Sequence, residues 1–212
     1  MIILKQILCF GDSNTYGLIP GTKDRYDWNT RWTGILESKI SKMGYRIVEE
    51  GLCGRTTIFD DPLRDGRRGT QILSVILETH KPIDTVVLML GTNDCKAVYD
   101  ASAEVIGKGI ERLLEQIKQS DPDIKVLLIS PIELGDGVWE QEYDPEFNER
   151  SVGVSKKLPE VYKKISGERN IRFLQASKYA KPSSDDREHL NKAGHKSLAD
   201  AIYNELKEAV LV

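Results

Sequence analysis

Short runs of β-branched and aliphatic residues alternate along the chain with longer stretches whose apolar positions recur every three or four residues. The runs at 6–10, 46–50, 84–90, 125–130 and 171–174 predict five strands. Those at 84–90 and 125–130 are apolar on both faces, the pattern of central strands covered by helices on each side. Trp32, Ile35, Leu36, Lys39, Ile40 and Met43 fall on one face of a predicted helix, and Val105, Ile110, Leu113, Leu114 and Ile117 on one face of another. Residues 148–168 predict a third helix, interrupted or kinked at Pro159, and 192–210 the last. Residues 135–143 carry glycine, acid and a tryptophan and read as an active-site loop. Strands alternating with helices, joined by right-handed crossovers, predict an α/β protein: a three-layer α/β/α sandwich around a five-stranded parallel sheet.

No repeat, low-complexity tract or Pro/Gly/Ser linker divides the 212 residues, so one domain is expected over 1–212. A chain of this length buries roughly 70% of its unfolded surface without help from disulfides or metals. Hydrophobic residues at 40% and charged residues at 30% exclude disordered and fibrous classes. Thirty Lys and Arg against 33 Asp and Glu leave a net charge of -3, with no dense basic block, which argues against a nucleic-acid partner. The N-terminal apolar stretch lacks a preceding basic region and a small-residue cleavage site, and reads as a first strand rather than a signal peptide. The longest apolar run, at 85–90, is far short of the roughly 20 residues that span a membrane. Cys9, Cys53 and Cys95 are too far apart in sequence for a zinc knuckle or redox pair, so no metal is expected and a reducing cytoplasm is.

Ligands of open α/β sheets bind beyond the carboxyl ends of the strands. Gly11-Asp12-Ser13-Asn14-Thr15-Tyr16-Gly17 follows the first predicted strand, Gly51-Leu52-Cys53-Gly54-Arg55-Thr56-Thr57 the second, and Gly91-Thr92-Asn93-Asp94 the third. Asp185-Asp186-Arg187-Glu188-His189 follows the fifth across a short polar connection. These are the types that acyl transfer demands. A serine becomes nucleophilic beside a histidine base, and a carboxylate orients the imidazole and balances its charge. Ser13, His189 and Asp186 supply all three, with Asp185 an alternative acid. The oxyanion of a tetrahedral intermediate needs converging donors, and the Ser13 N–H, the Gly54 N–H and the Asn93 amide can provide them. Tyr16, Phe59, Trp139 and Tyr143 are candidate pocket walls.

Taken singly, each element has a plainer explanation. Asp12 and Ser13 could cap a helix, Gly54 could be a turn glycine, and Asn93-Asp94 could form an Asx turn. His80 and His195 read as exposed histidines without a chemical role. A noncatalytic small-ligand module on the same sheet edge is a competing class, predicting saturable binding without turnover. No segment fits GxGxxG or a phosphate-binding loop with its lysine.

Together the blocks carry more. Gly11-Asp12-Ser13, Gly54, Gly91-Thr92-Asn93-Asp94 and Asp186-Arg187-Glu188-His189 occur in the order of the nucleophile, glycine, asparagine and DxxH blocks of the SGNH hydrolases, the GDSL esterase/lipase family, which the sequence resembles over nearly its whole length. The resemblance implies a flavodoxin-like SGNH hydrolase fold, Ser13 as nucleophile, His189 as base, Asp186 as its partner, an oxyanion hole of Ser13, Gly54 and Asn93, and no cofactor. Arg-Trp-Thr-Gly-Ile-Leu at 31–36, Glu-Glu-Gly-Leu-Cys-Gly-Arg-Thr-Thr at 49–57, Asp-Asp-Pro at 60–62 and Leu-Gly-Thr-Asn-Asp-Cys-Lys at 90–96 are similar to the bacterial arylesterase and acyltransferase branch. That branch implies short-chain esters as small-molecule substrates, acyl transfer to alcohols in some members, and homo-oligomers from dimer to octamer. A deacetylase of sugars or other small natural esters would use the same residues. The nucleophile block departs from the name-giving GDSL, with Asn14 in place of leucine. No long apolar lid of an interfacial lipase is visible.

Overall fold

A computed structural model describes residues 4–209. The first three residues of the predicted N-terminal apolar stretch and Val210, the predicted end of the last helix, lie outside the described residues. Five strands, β1 (Lys5–Gly11), β2 (Tyr45–Gly51), β3 (Thr85–Met89), β4 (Lys125–Ser130) and β5 (Arg172–Gln175), pair in parallel in the order β2-β1-β3-β4-β5. This is the doubly wound order whose direction reverses between β1 and β3, which opens a crevice at the carboxyl ends of those strands.

Helices α1 (Ser13–Tyr16), α2 (Trp32–Ile40), α3 (Gly69–Thr79), α4 (Ala103–Ser120), α5 (Glu149–Ser155), α6 (Leu158–Arg169) and α7 (Lys192–Ala209) complete the sandwich. Successive strand residues face opposite sides, and each side has its own core. Leu8, Phe10, Val86 and Leu88 pack against α3, α4 and α6. Ile7, Cys9, Val87 and Met89 pack against α2 and α7, around the buried Trp32, Leu198 and Ile202.

The predicted helix over 148–168 is two helices. Lys156 and Lys157 separate them, and Pro159 occupies the first turn of α6, where its missing N–H would have had no helical partner. The sequence pattern predicts no helix at α3, because Ile72, Leu73, Val75, Ile76 and Leu77, crowded around Ser74, blur the helical period; Val75 is exposed while Leu73 and Leu77 are buried. Met43 and Val105 stand exposed beside their helices' buried stripes. Met43 belongs to a 3₁₀ turn that follows α2, which rotates it off the predicted face. No helix among the described residues is long and apolar enough to cross a membrane.

Candidate active site

The site forms where four strand-to-helix connections converge. β1 stops at Gly11, where a Cβ would come within 2.1 Å of the Thr15 hydroxyl, so the chain can turn this tightly only at glycine. Asp12 then caps the single turn of α1, its carboxylate accepting the Asn14 N–H at 3.0 Å. The capping reading and the nucleophile reading are therefore compatible, because the cap is what presents Ser13 at the strand end. Asn14, where leucine gives the family its name, has its side-chain oxygen accepting the Leu190 N–H at 2.9 Å. An apolar residue could not make this tie between the serine turn and the histidine loop.

Ser13 and His189, 176 residues apart, meet with Oγ 2.8 Å from Nε2. The Asp186 carboxylate lies 2.7 Å from Nδ1. It also accepts the backbone N–H groups of Glu188 and His189 at 3.0 and 2.9 Å and that of Gly21 at 3.0 Å. Burial alone would raise its pKa; the His189 hydrogen bond, the His189 charge and these amides outweigh it and hold Asp186 down at about 2. Burial disfavours a charged imidazole, but Glu188, Asp186 and Asp12 together raise His189 to about 9. Asp185, the alternative acid, turns away and accepts from the Ser183 hydroxyl at 3.1 Å.

The proposed oxyanion donors line the opposite wall. Among the described residues the Ser13 and Gly54 N–H groups have no acceptor. Gly54 is in the left-handed region at φ +82, and a Cβ there would meet the Arg64 guanidinium at 2.9 Å. Asn93 begins a 3₁₀ turn beyond β3 and donates one amide hydrogen to the Arg55 carbonyl at 3.2 Å, leaving the second free. Arg55 in turn donates to the Gly11 carbonyl at 2.9 Å and to the Glu50 carbonyl, tying together the ends of β1 and β2. Buried Asp94 grips the Thr57 N–H at 3.0 Å and the Thr57 hydroxyl at 2.5 Å, and burial raises its carboxyl to about 6. The donors thus sit on a braced frame, as electrostatic preorganisation requires.

The four aromatic candidates occupy the surroundings with partners of their own. Tyr16 stacks under the Arg25 guanidinium at 4.1 Å, and Phe59 stacks on Tyr99 at 4.7 Å. Trp139 is partly buried against the core on the α3, α4 and α6 side of the sheet. Tyr143 lies under Arg187, whose Nη1 reaches the Asp136 carbonyl at 2.8 Å, so the predicted loop at 135–143 is bound directly to the histidine turn. A groove of about 640 Å³ between α4 and α6 holds none of this chemistry. Among the described residues no group of three or more His, Cys, Asp and Glu could hold a metal ion.

One sequence expectation changes and one residue is newly found. His195 is not an exposed bystander: it is fully buried, and its Nδ1 accepts the Trp32 N–H at 3.3 Å. Its place four residues after Asn191, facing α2, could have been found from the α7 periodicity, since it precedes Leu198 and Ile202 on the same face. Glu188, which carried no sequence signal, is buried with Oε1 3.7 Å from His189 Nε2. His80, half-exposed beside Glu50, takes no part.

The sequence profile of the GDSL-like lipase/acylhydrolase family matches residues 9–197. Est24, a carbohydrate acetylesterase from Sinorhizobium meliloti, is 31% identical over 96% of this chain and 99% of its own, with a TM-score of 0.88. The aryl esterase of M. smegmatis is 31% identical over 97% of this chain and all of its own, with a TM-score of 0.86. A further solved structure, 36% identical over 99% of this chain and all of its own, superposes with a TM-score of 0.92. None of the curated protein sequences matches. With the parallel sheet and the four motif blocks gathered at one edge, these likenesses place the chain in the GDSL-like lipase/acylhydrolase family, the SGNH hydrolases, as a carboxylic ester hydrolase.

Proposed function

We propose that the protein hydrolyses short-chain carboxylic esters of small soluble alcohols through an acyl-enzyme on Ser13. The observation that carries this reading is the unbroken line Ser13 Oγ, His189, Asp186, at 2.8 and 2.7 Å. His189 Nε2 takes the Ser13 proton as Oγ bonds to the ester carbon, and the carbonyl oxygen becomes an oxyanion facing the Ser13, Gly54 and Asn93 donors. Collapse breaks the bond to the alcohol oxygen, which leaves with the proton from His189. Water, deprotonated by the same nitrogen, then resolves the acyl-enzyme, and an alcohol in its place gives acyl transfer.

Acetyl esters of carbohydrates are a second reading, favoured by the likeness to Est24. Turnover of acyl esters of p-nitrophenol from acetyl to octanoyl, set beside acetylated sugars, separates the two. Ser13→Ala and His189→Ala, purified folded, should each lose on the order of 10⁴-fold or more in kcat, since triad members act as a unit. Turnover surviving in Ser13→Ala overturns the reading, and saturable binding without turnover returns the noncatalytic module.

A further inference from the structure

The imidazole of His189 has a carboxylate at each nitrogen. Asp186 meets Nδ1 at 2.7 Å, and Glu188 Oε1 stands 3.7 Å from Nε2, on the face where Ser13 Oγ and the leaving oxygen exchange the proton. Glu188 is 6% exposed, and among the described residues its carboxylate accepts no hydrogen bond. We propose, resting on the esterase reading above, that Glu188 is a positioning residue that stabilises the imidazolium through Nε2 and so sets the pH above which the site works.

The chemistry follows from that arrangement. A working base must be neutral at Nε2 when Ser13 attacks, and a buried carboxylate beside Nε2 opposes loss of that proton. The other charges around the pair are Asp186 and Asp12 toward His189, and Asp144 and Lys96 toward Glu188, with Lys96 already paired to Glu146. The Cys53 thiol also faces Glu188 and Asp12, and His195 on α7 faces His189 in its neutral form. Burial raises the Glu188 carboxyl to about 7 against the pull of His189, and Glu188 is foremost among the groups that raise His189 to about 9. Glu188 and His189 therefore titrate as a coupled pair, and activity rises through its upper step.

The test is the pH profile of kcat/KM for an acetyl ester in the unsubstituted protein and in Glu188→Gln, which keeps the shape and removes the charge. The acid limb should move down, making Glu188→Gln severalfold faster near pH 8, where Glu188 is charged and His189 still protonated, with the two proteins converging below about 7, where Glu188 is itself neutral. An acid limb left in place, or an equal loss at every pH, overturns the proposal. Proton NMR titration of the His189 ring in the unsubstituted protein needs neither turnover nor a folded variant. A step near 7 reporting Glu188 and a second near 9 are expected, and a single step near the ordinary 6.5 overturns the coupling. If the ring shows both steps while no ester is hydrolysed, the coupling stands and the esterase reading falls.

Discussion

The Arg187 guanidinium lies 4.3 Å from the centre of the Tyr143 ring, and through this contact the turn that carries Asp186 and His189 is fastened to the loop at 135–143. The Arg187 carbonyl accepts the Gly135 N–H at 2.8 Å, and Nη1 reaches Glu140 at 3.1 Å. The fastening holds a strained residue, since Arg187 has φ +60, a left-handed conformation that costs most residues about 1–2 kcal/mol.

Arg187→Ala removes the side-chain tether and keeps the strain, whereas Arg187→Gly removes both. Both variants should lose kcat, and Arg187→Gly should be the more stable by about 1 kcal/mol in denaturant unfolding. Equal stability would mean that the surrounding contacts, and not the side chain, impose the turn.

Asp186 accepts four N–H groups, three from the backbone and one from the imidazole, and an asparagine cannot serve them all. Asp186→Asn should lower kcat by about 10⁴-fold and also lower Tm. Asp185→Asn should leave kcat unchanged, because that carboxylate serves the Ser183 hydroxyl. Steady-state kinetics on the pair decides which acid orients the base.

Asn93 offers one amide hydrogen to the site and spends the other on Arg55. Asn93→Ala should cost about 10²–10³-fold in kcat with a smaller effect on KM, the signature of a donor felt mainly in the transition state. A change confined to KM would move Asn93 from the oxyanion to ground-state binding.

His195 supplies a pH dependence of stability. Burial first, then the positive His189 and Arg31, lower it to about 4 from the ordinary 6.5. Its Nδ1 holds the Trp32 N–H, so protonation there breaks that bond. A depressed value means the unfolded chain takes the proton first, so the stabilisation is complete above about 6.5 and drains away as pH falls toward about 4. The full difference is on the order of 3 kcal/mol. Tm measured against pH should fall less steeply over that window in His195→Gln, and identical slopes would remove His195 as the cause.

Much of the site could be read from local pattern. Gly11-Asp12-Ser13, Gly54 and Asn93 sit within a few residues past strands, Asp186 through His189 follow the last strand after the connection at 176–185, and strand ends in a parallel sheet share one edge. The contact of Asp186, and not Asp185, with His189 follows from its three-residue spacing, which closes a turn with two backbone amides on the carboxylate. The α3 helix is not legible because its apolar residues crowd together around Ser74 without a clear period, and the break before α6 can be read only as far as Pro159 allows.

The alternation of runs and stripes by itself determined the sheet, its two helical layers and the edge where the chemistry gathers, since these depend on periods of two and 3.6 residues and on short turns. Only the tertiary structure decided which charges face one another. Glu188 against Nε2, Asp94 on Thr57, Arg187 on the 135–143 loop and His195 against Trp32 all join segments far apart in the chain or depend on burial. A carboxyl or imidazole reads the same in sequence whether solvated or buried. Its ionisation and its partners are set by the groups that packing brings within a few ångströms of it.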